Sequence, residues 1–248
     1  WQPGDPNSWN ASKRRLVDTL FGQLAAFDAD SYLVAGDLVN GHWDKDHFRT
    51  GVFGPRETLP QVRARIRRAG AVYYGAWKGF WRDAGVPPGR VLAGVGDHEI
   101  GDNPWNHEQP VKRRVVGTFK SVWADHFTAG GRRFAQRPRG TAYEQTSYAT
   151  YVTPRVLVVT VDVFRELPGH RIRPSVTGGH LAWFRDVLRR GQERGATIVV
   201  QGHTPVLGPV RTRSSSGLML AEGAGSGFWR AMRAHDVDLY LAGEVHAT

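Results

Sequence analysis

The sequence of 248 residues contains no cysteine. That absence excludes disulfide bonds, thiol nucleophiles and cysteine-bound zinc together. It leaves the compartment open, because cytoplasmic and exported enzymes alike can lack cysteine. The chain also has no apolar run of about 18 residues that could span a membrane, and no charged-then-apolar leader opens it. The reading is a soluble protein, cytoplasmic or exported. No internal repeat and no low-complexity tract is present. Phosphate-binding P-loop, serine nucleophile elbow and dinucleotide fingerprint are all missing, which removes the chemistry each would carry. Acidic residues are in deficit, with 23 Asp plus Glu against 33 Lys plus Arg, a formal net charge of +10. The excess is mostly arginine spread along the chain, which reads as solvated helix faces, although a basic surface also attracts nucleic acid, anionic membrane or phosphorylated substrates.

What is present suffices for a single domain: 40% of residues are apolar and 11% aromatic, enough for a full core at this length. Ser12 to Phe27 places Leu16, Leu20, Leu24 and Phe27 at helical spacing and predicts an amphipathic helix. Ser31 to Ala35 is a short buried strand. Residues 41–90 read as a helical insertion, with helices around Leu59 to Arg68 and Ala71 to Trp81 before the Pro87-Pro88-Gly89 breaker. Strands follow at Val91 to Val95, Tyr143 to Val152, Arg155 to Val161, Thr197 to Val200 and Asp238 to Ala242, with helices at Val111 to Phe127 and Gly179 to Arg194. Strands alternate with helices, so the class is α/β.

The chemistry is written where strands end. Four exits read Gly36-Asp37, Gly96-Asp97-His98-Glu99, Gly202-His203-Thr204-Pro205 and Gly243-Glu244-Val245-His246. In α/β sheets, ligands sit beyond the carboxyl ends of strands, so these exits can converge on one crevice. Asp, His and Glu are the oxygen and nitrogen donors of divalent metals, and a set without sulfur suits Mn, Fe, Zn or Mg.

These motifs, as GDLVN, GDHE, GHTP and GEVH in that order, resemble the signature of calcineurin-like metallophosphoesterases over essentially the whole chain. The resemblance implies a four-layer α/β/β/α sandwich. It also implies hydrolysis of phosphate monoesters or diesters by a water that two divalent or mixed-valence metal ions activate. The family's first motif, D-x-H, does not appear. It is expected upstream of Trp1, and a further strand after Thr248, so that the chain is truncated at both ends.

Carried over by motif, Asp37 resembles the bridging carboxylate, and Asp97 stands where the family usually has Asn. His203 and Glu244 take second-metal positions, Glu244 in place of His, and His246 takes a first-metal position. His98 resembles the catalytic histidine near the leaving oxygen, with Glu99 orienting its loop. His42, just beyond GDLVN, is a candidate substrate contact. Two rival readings remain. One is a metal-binding or ligand-binding member of the same fold whose altered ligands have lost efficient chemistry. The other is a nuclease, against which no aromatic residues interleave with a basic stripe.

Overall fold

The computed structural model describes residues 10–44, 53–102, 110–129, 134–208 and 217–244. Helix α1, Ala11–Ala26, begins where the Asn10 side chain accepts a hydrogen bond from the Lys13 amide, satisfying one of the free N–H groups of the first turn. Its buried face differs from the expected one. Phe21 is buried, and Val17, Leu24 and Ala25 pack with it around Tyr32, Trp81 and Val86, whereas Leu16, Leu20 and Phe27 are 71%, 51% and 78% exposed. Leucine spacing alone named a stripe, but the larger aromatic ring at Phe21 decides which face turns inward.

Strand β1, Tyr32–Val34, follows. The expected pair of helices beyond it is one helix, α2, spanning Leu59–Asp83 and opened by a capping box between Thr58 and Gln61. Val62, Ile66, Ala69, Tyr73, Tyr74 and Trp81 recur along one side and are buried, the period of a helix against a core. Arg65, also buried, donates to the carbonyls of Trp43 and Gly54 and so ties the segment after β1 to this helix. Strand β2, Val91–Ala93, lies parallel to β1. The expected helix over 111–127 is two pieces, α3 (Pro110–Arg113) and α4 (Val116–Phe127).

The larger sheet contains β3 (Tyr148–Thr153), β4 (Val156–Thr160), β7 (Thr197–Gln201) and β8 (Leu239–Leu241) in the order β3-β4-β7-β8. Only β3 is antiparallel to its neighbour. The alternation read over 143–152 is therefore a strand only from Tyr148. Between β4 and helix α5 (Gly178–Glu193) lies a hairpin absent from the sequence reading, β5 (Phe164–Leu167) and β6 (Arg171–Pro174). Helix α6, Gly227–Ala234, was likewise not expected. Gln201 donates to the Leu92 carbonyl at 3.0 Å and Tyr148 to the Ala93 carbonyl at 2.8 Å, so β2 is tied to the larger sheet. With β1 parallel to β2 and β7 parallel to β8, the chain leaves each pair at the same end.

One core group links the fold to pH. His180 is 1% exposed, stacks on Tyr143 with ring centroids 4.2 Å apart, and neither ring nitrogen has a hydrogen-bond partner among the described residues. Burial pushes its pKa down to about 4. An unfolded chain takes up a proton near pH 6.5 that the folded chain refuses until about pH 4. This contribution is complete above pH 6.5 and is lost as pH falls through that window, by about 3 kcal/mol in all. Urea unfolding at pH 7 and pH 4.5 should show a smaller loss on acidification for His180→Phe than for the parent; equal losses would refute the assignment.

Candidate metal centre

Four strand-exit side chains meet in one place. Asp37, Asp97, His203 and Glu244 each offer a donor atom, and those atoms all lie within 4.8 Å of one another. His203, fully buried after β7, sits at the middle. Its Nδ1 donates to the Ala35 carbonyl at 2.8 Å, which fixes the ring and leaves Nε2 facing the carboxylates. From Nε2 it is 2.9 Å to Asp97 Oδ1, 3.4 Å to Glu244 Oε2 and 3.5 Å to Asp37 Oδ2. Donors around a tetrahedral ion with bonds near 2.1 Å stand about 3.4 Å apart, so the spacing fits an ion with little movement. A histidine ligand that donates its other ring N–H to a backbone carbonyl is the usual arrangement at metals.

The loops are held by a buried carboxylate. Glu99 accepts from the amides of Asp37 (2.7 Å), Leu38 (2.8 Å) and Gly96 (2.7 Å), clamping the exit of β1 onto the exit of β2. Gly36 makes this approach possible: its φ is +101°, and a Cβ there would stand 2.5 Å from the Gly96 nitrogen. Asp37 itself has φ +59°, an uncommon conformation for a residue with a side chain. At the other exit, the His203 carbonyl accepts from the amides of Gly243 and Glu244 at 2.8 and 3.0 Å, which carries the Glu244 carboxylate to the group.

The electrostatics describe a site short of positive charge. Burial raises the pKa of the Asp37 carboxyl, His203 opposes the rise and Asp97 adds to it. Burial alone would lower the His203 imidazole, but its hydrogen bonds to Asp97 and Glu244 and the charge of Asp37 hold it well above the usual histidine range. Both shifts mean that Asp37 and His203 hold their protons more tightly than they would in water, and a cation bound among these donors would displace them. The donor set therefore fits a divalent ion, and its oxygen-rich, sulfur-free composition suits Mn, Fe, Zn or Mg.

His98 lies beside this group. Its Nδ1 donates to the Asn40 carbonyl at 2.9 Å and its amide approaches Asp37 Oδ1 at 3.4 Å. Burial acts to lower its pKa, and the Asp37 charge and the Asn40 bond outweigh that and raise it. His42 does not join the four donors; its Nε2 is 3.1 Å from Asp102 Oδ2, and its ring is 6.4 Å from that of His98. His246 lies outside the described residues. The sequence reading missed Asp102, which forms a second close group with Asp97 and His98. Its signal was the Gly101-Asp102 pair, which repeats the Gly-Asp pattern of the strand exits. Asp162, at the end of β4, does not reach the centre; it is buried in an ion pair with Lys120 at 2.6 Å.

No protein-family model and no curated protein matches the chain. Among solved structures, a dimetal phosphatase from Danio rerio superposes with a TM-score of 0.52 at 14% identity, over 96% of this chain and 73% of that one. The chain is similar in fold to that phosphatase. The likeness covers nearly all of this chain, and the mixed α/β architecture agrees with the expected class. No helix among the described residues is long and apolar enough to cross a membrane.

Proposed function

We propose that this protein hydrolyses phosphate esters with a metal ion held by Asp37, Asp97, His203 and Glu244, as a calcineurin-like member of the four-layer sandwich architecture. The observation that carries the proposal is the His203 ring, oriented by the Ala35 carbonyl so that Nε2 and three carboxylates face one point. A divalent ion held by these four residues would supply the chemistry for this reaction, lowering the pKa of a water and offsetting the charge of phosphoryl oxygens.

The chain's own residues do the rest. Glu99 keeps the two loops in register, so that Asp37 and Asp97 hold their positions without reorganisation when substrate arrives. His98, whose Nδ1–H is held by the Asn40 carbonyl, donates a proton from Nε2 to the leaving oxygen as the imidazolium, the form its raised pKa favours. His42, anchored on Asp102 with its ring 6.4 Å from that of His98, is assigned to substrate contact. His246, two residues beyond Glu244 in the sequence, would be the candidate donor to a second ion.

A second reading, metal binding without efficient turnover, is favoured by the three carboxylates around a single imidazole, a more negative set than phosphate anions prefer. Hydrolysis of p-nitrophenyl phosphate and bis(p-nitrophenyl) phosphate under Mn²⁺ separates the two. Activity that EDTA abolishes, and that Asp37→Asn and His203→Ala each lower by about a hundredfold or more, is the expected result. Metal bound with no turnover of either ester would establish the second reading.

A further inference from the structure

The β5–β6 hairpin carries three arginines on one face and one carboxylate, Glu166, on the other. Register sets Arg165 directly across from Arg173 and Leu167 across from Arg171. Alternation along each strand then places Arg165, Arg171 and Arg173 on one face, while Phe164, Ile172 and Pro174 of the opposite face are buried. Like charges directly opposite each other destabilise a strand pair, and the protein answers them only in part. Arg165 Nη1 donates to Thr177 Oγ1 at 2.7 Å, Arg171 Nε reaches the Pro168 carbonyl at 3.5 Å, and Arg173 lies 3.9 Å from Glu222. The hairpin is a two-stranded sheet of its own. Each strand has four residues, about 13 Å of extended chain, and the DNA major groove admits a two-stranded ribbon.

We propose that the arginine face of this hairpin is a docking surface for double-stranded nucleic acid, with Arg165, Arg171 and Arg173 engaging its phosphates. Guanidinium groups pair with phosphate oxygens through two parallel hydrogen bonds, and a net charge of +10 draws the polyanion in. No aromatic side chain lies on this face, so recognition is of the backbone and independent of sequence. Leu167 is its single apolar residue, too little to insert into lipid, which disfavours an anionic membrane. Phe164, on the buried face of the ribbon, has its ring 6.0 Å from that of His203, so the hairpin packs against the metal centre through the face opposite the arginines. The surface stands whether or not that centre is catalytic.

Fluorescence anisotropy with a short labelled DNA duplex, titrated across roughly 50 to 200 mM NaCl, tests the proposal. Three phosphate contacts contribute a slope of about −2.7 in log K against log salt. Arg165→Gln/Arg171→Gln/Arg173→Gln should flatten the slope by about that amount and weaken binding at least tenfold. Arg173→Gln alone should flatten it by about 0.9, which keeps the test open should the triple variant fold poorly. The proposal is overturned if the parent fails to bind duplex at the lowest salt, or if both variants keep its slope. It is equally overturned if the substitutions abolish binding to phosphatidylserine vesicles and leave binding to DNA intact. Turnover of p-nitrophenyl phosphate, measured on the same variants, reports on the metal centre separately.

Discussion

Asp97→Asn combined with Glu244→His raises the turnover of a phosphate monoester relative to a diester about tenfold or more under Mn²⁺. The expectation follows from counting charge at four donors that lie within 4.8 Å of one another. Three carboxylates and a neutral imidazole around one divalent ion sum to −1, and the double substitution changes that sum to +1. A monoester approaches neutral pH as a dianion and a diester as a monoanion, so the parent site repels the monoester more. Charges about 4 Å apart at an effective dielectric near 20 interact at about 4 kcal/mol, and about 1.4 kcal/mol is already tenfold. Asp97 and Glu244 are each no more than 3% exposed, so water screens them little. Initial rates on p-nitrophenyl phosphate and bis(p-nitrophenyl) phosphate, with metal content measured on the same samples, check the ratio. An unchanged ratio with metal bound would show that the two carboxylates do not set substrate charge preference.

Glu99→Gln weakens metal binding by about 10- to 100-fold, the range found when a group that orients ligands is altered. The carboxylate accepts three backbone N–H bonds from two loops at once. An amide offers one oxygen and turns an N–H₂ toward at least one of those donors, leaving a backbone N–H without its acceptor. The loops then separate where Gly36 meets Gly96, and Asp37 shifts away from His203 before any global unfolding. Isothermal titration with Mn²⁺ beside a thermal melt separates this from simple destabilisation: affinity should fall while the protein remains folded at the temperature of titration. Undiminished affinity would mean that the metal positions are set without the clamp.

The strand exits were legible because their signal is local. A short apolar run that stops at Gly-Asp or Gly-His gives both the strand and the direction of the next side chain, and Asp37, Asp97, His203 and Glu244 meet as that pattern requires. What escaped depended on partners distant in sequence. Phe21 was chosen over Leu16 and Leu20 by Tyr32 and Trp81, which the period of α1 cannot name. The β5–β6 hairpin, with Arg opposite Arg, breaks the pairing preference by which a hairpin is recognised. The buried Asp162 ends its strand as the ligands do, yet the Lys120 ammonium on α4 claims it. The pairing of His42 with Asp102 was not legible, because it depends on a tight turn after Asp97 that the sequence marks only by Gly101.

Elemental analysis of the purified, Mn²⁺-loaded protein after desalting, carried out on the parent and on His203→Ala, tests most directly whether these four residues form a metal site. The parent should retain at least one ion per chain and the variant should lose it, since His203 is the donor that faces all three carboxylates. A parent that retains no ion, or a His203→Ala variant that retains as much as the parent, would contradict the account.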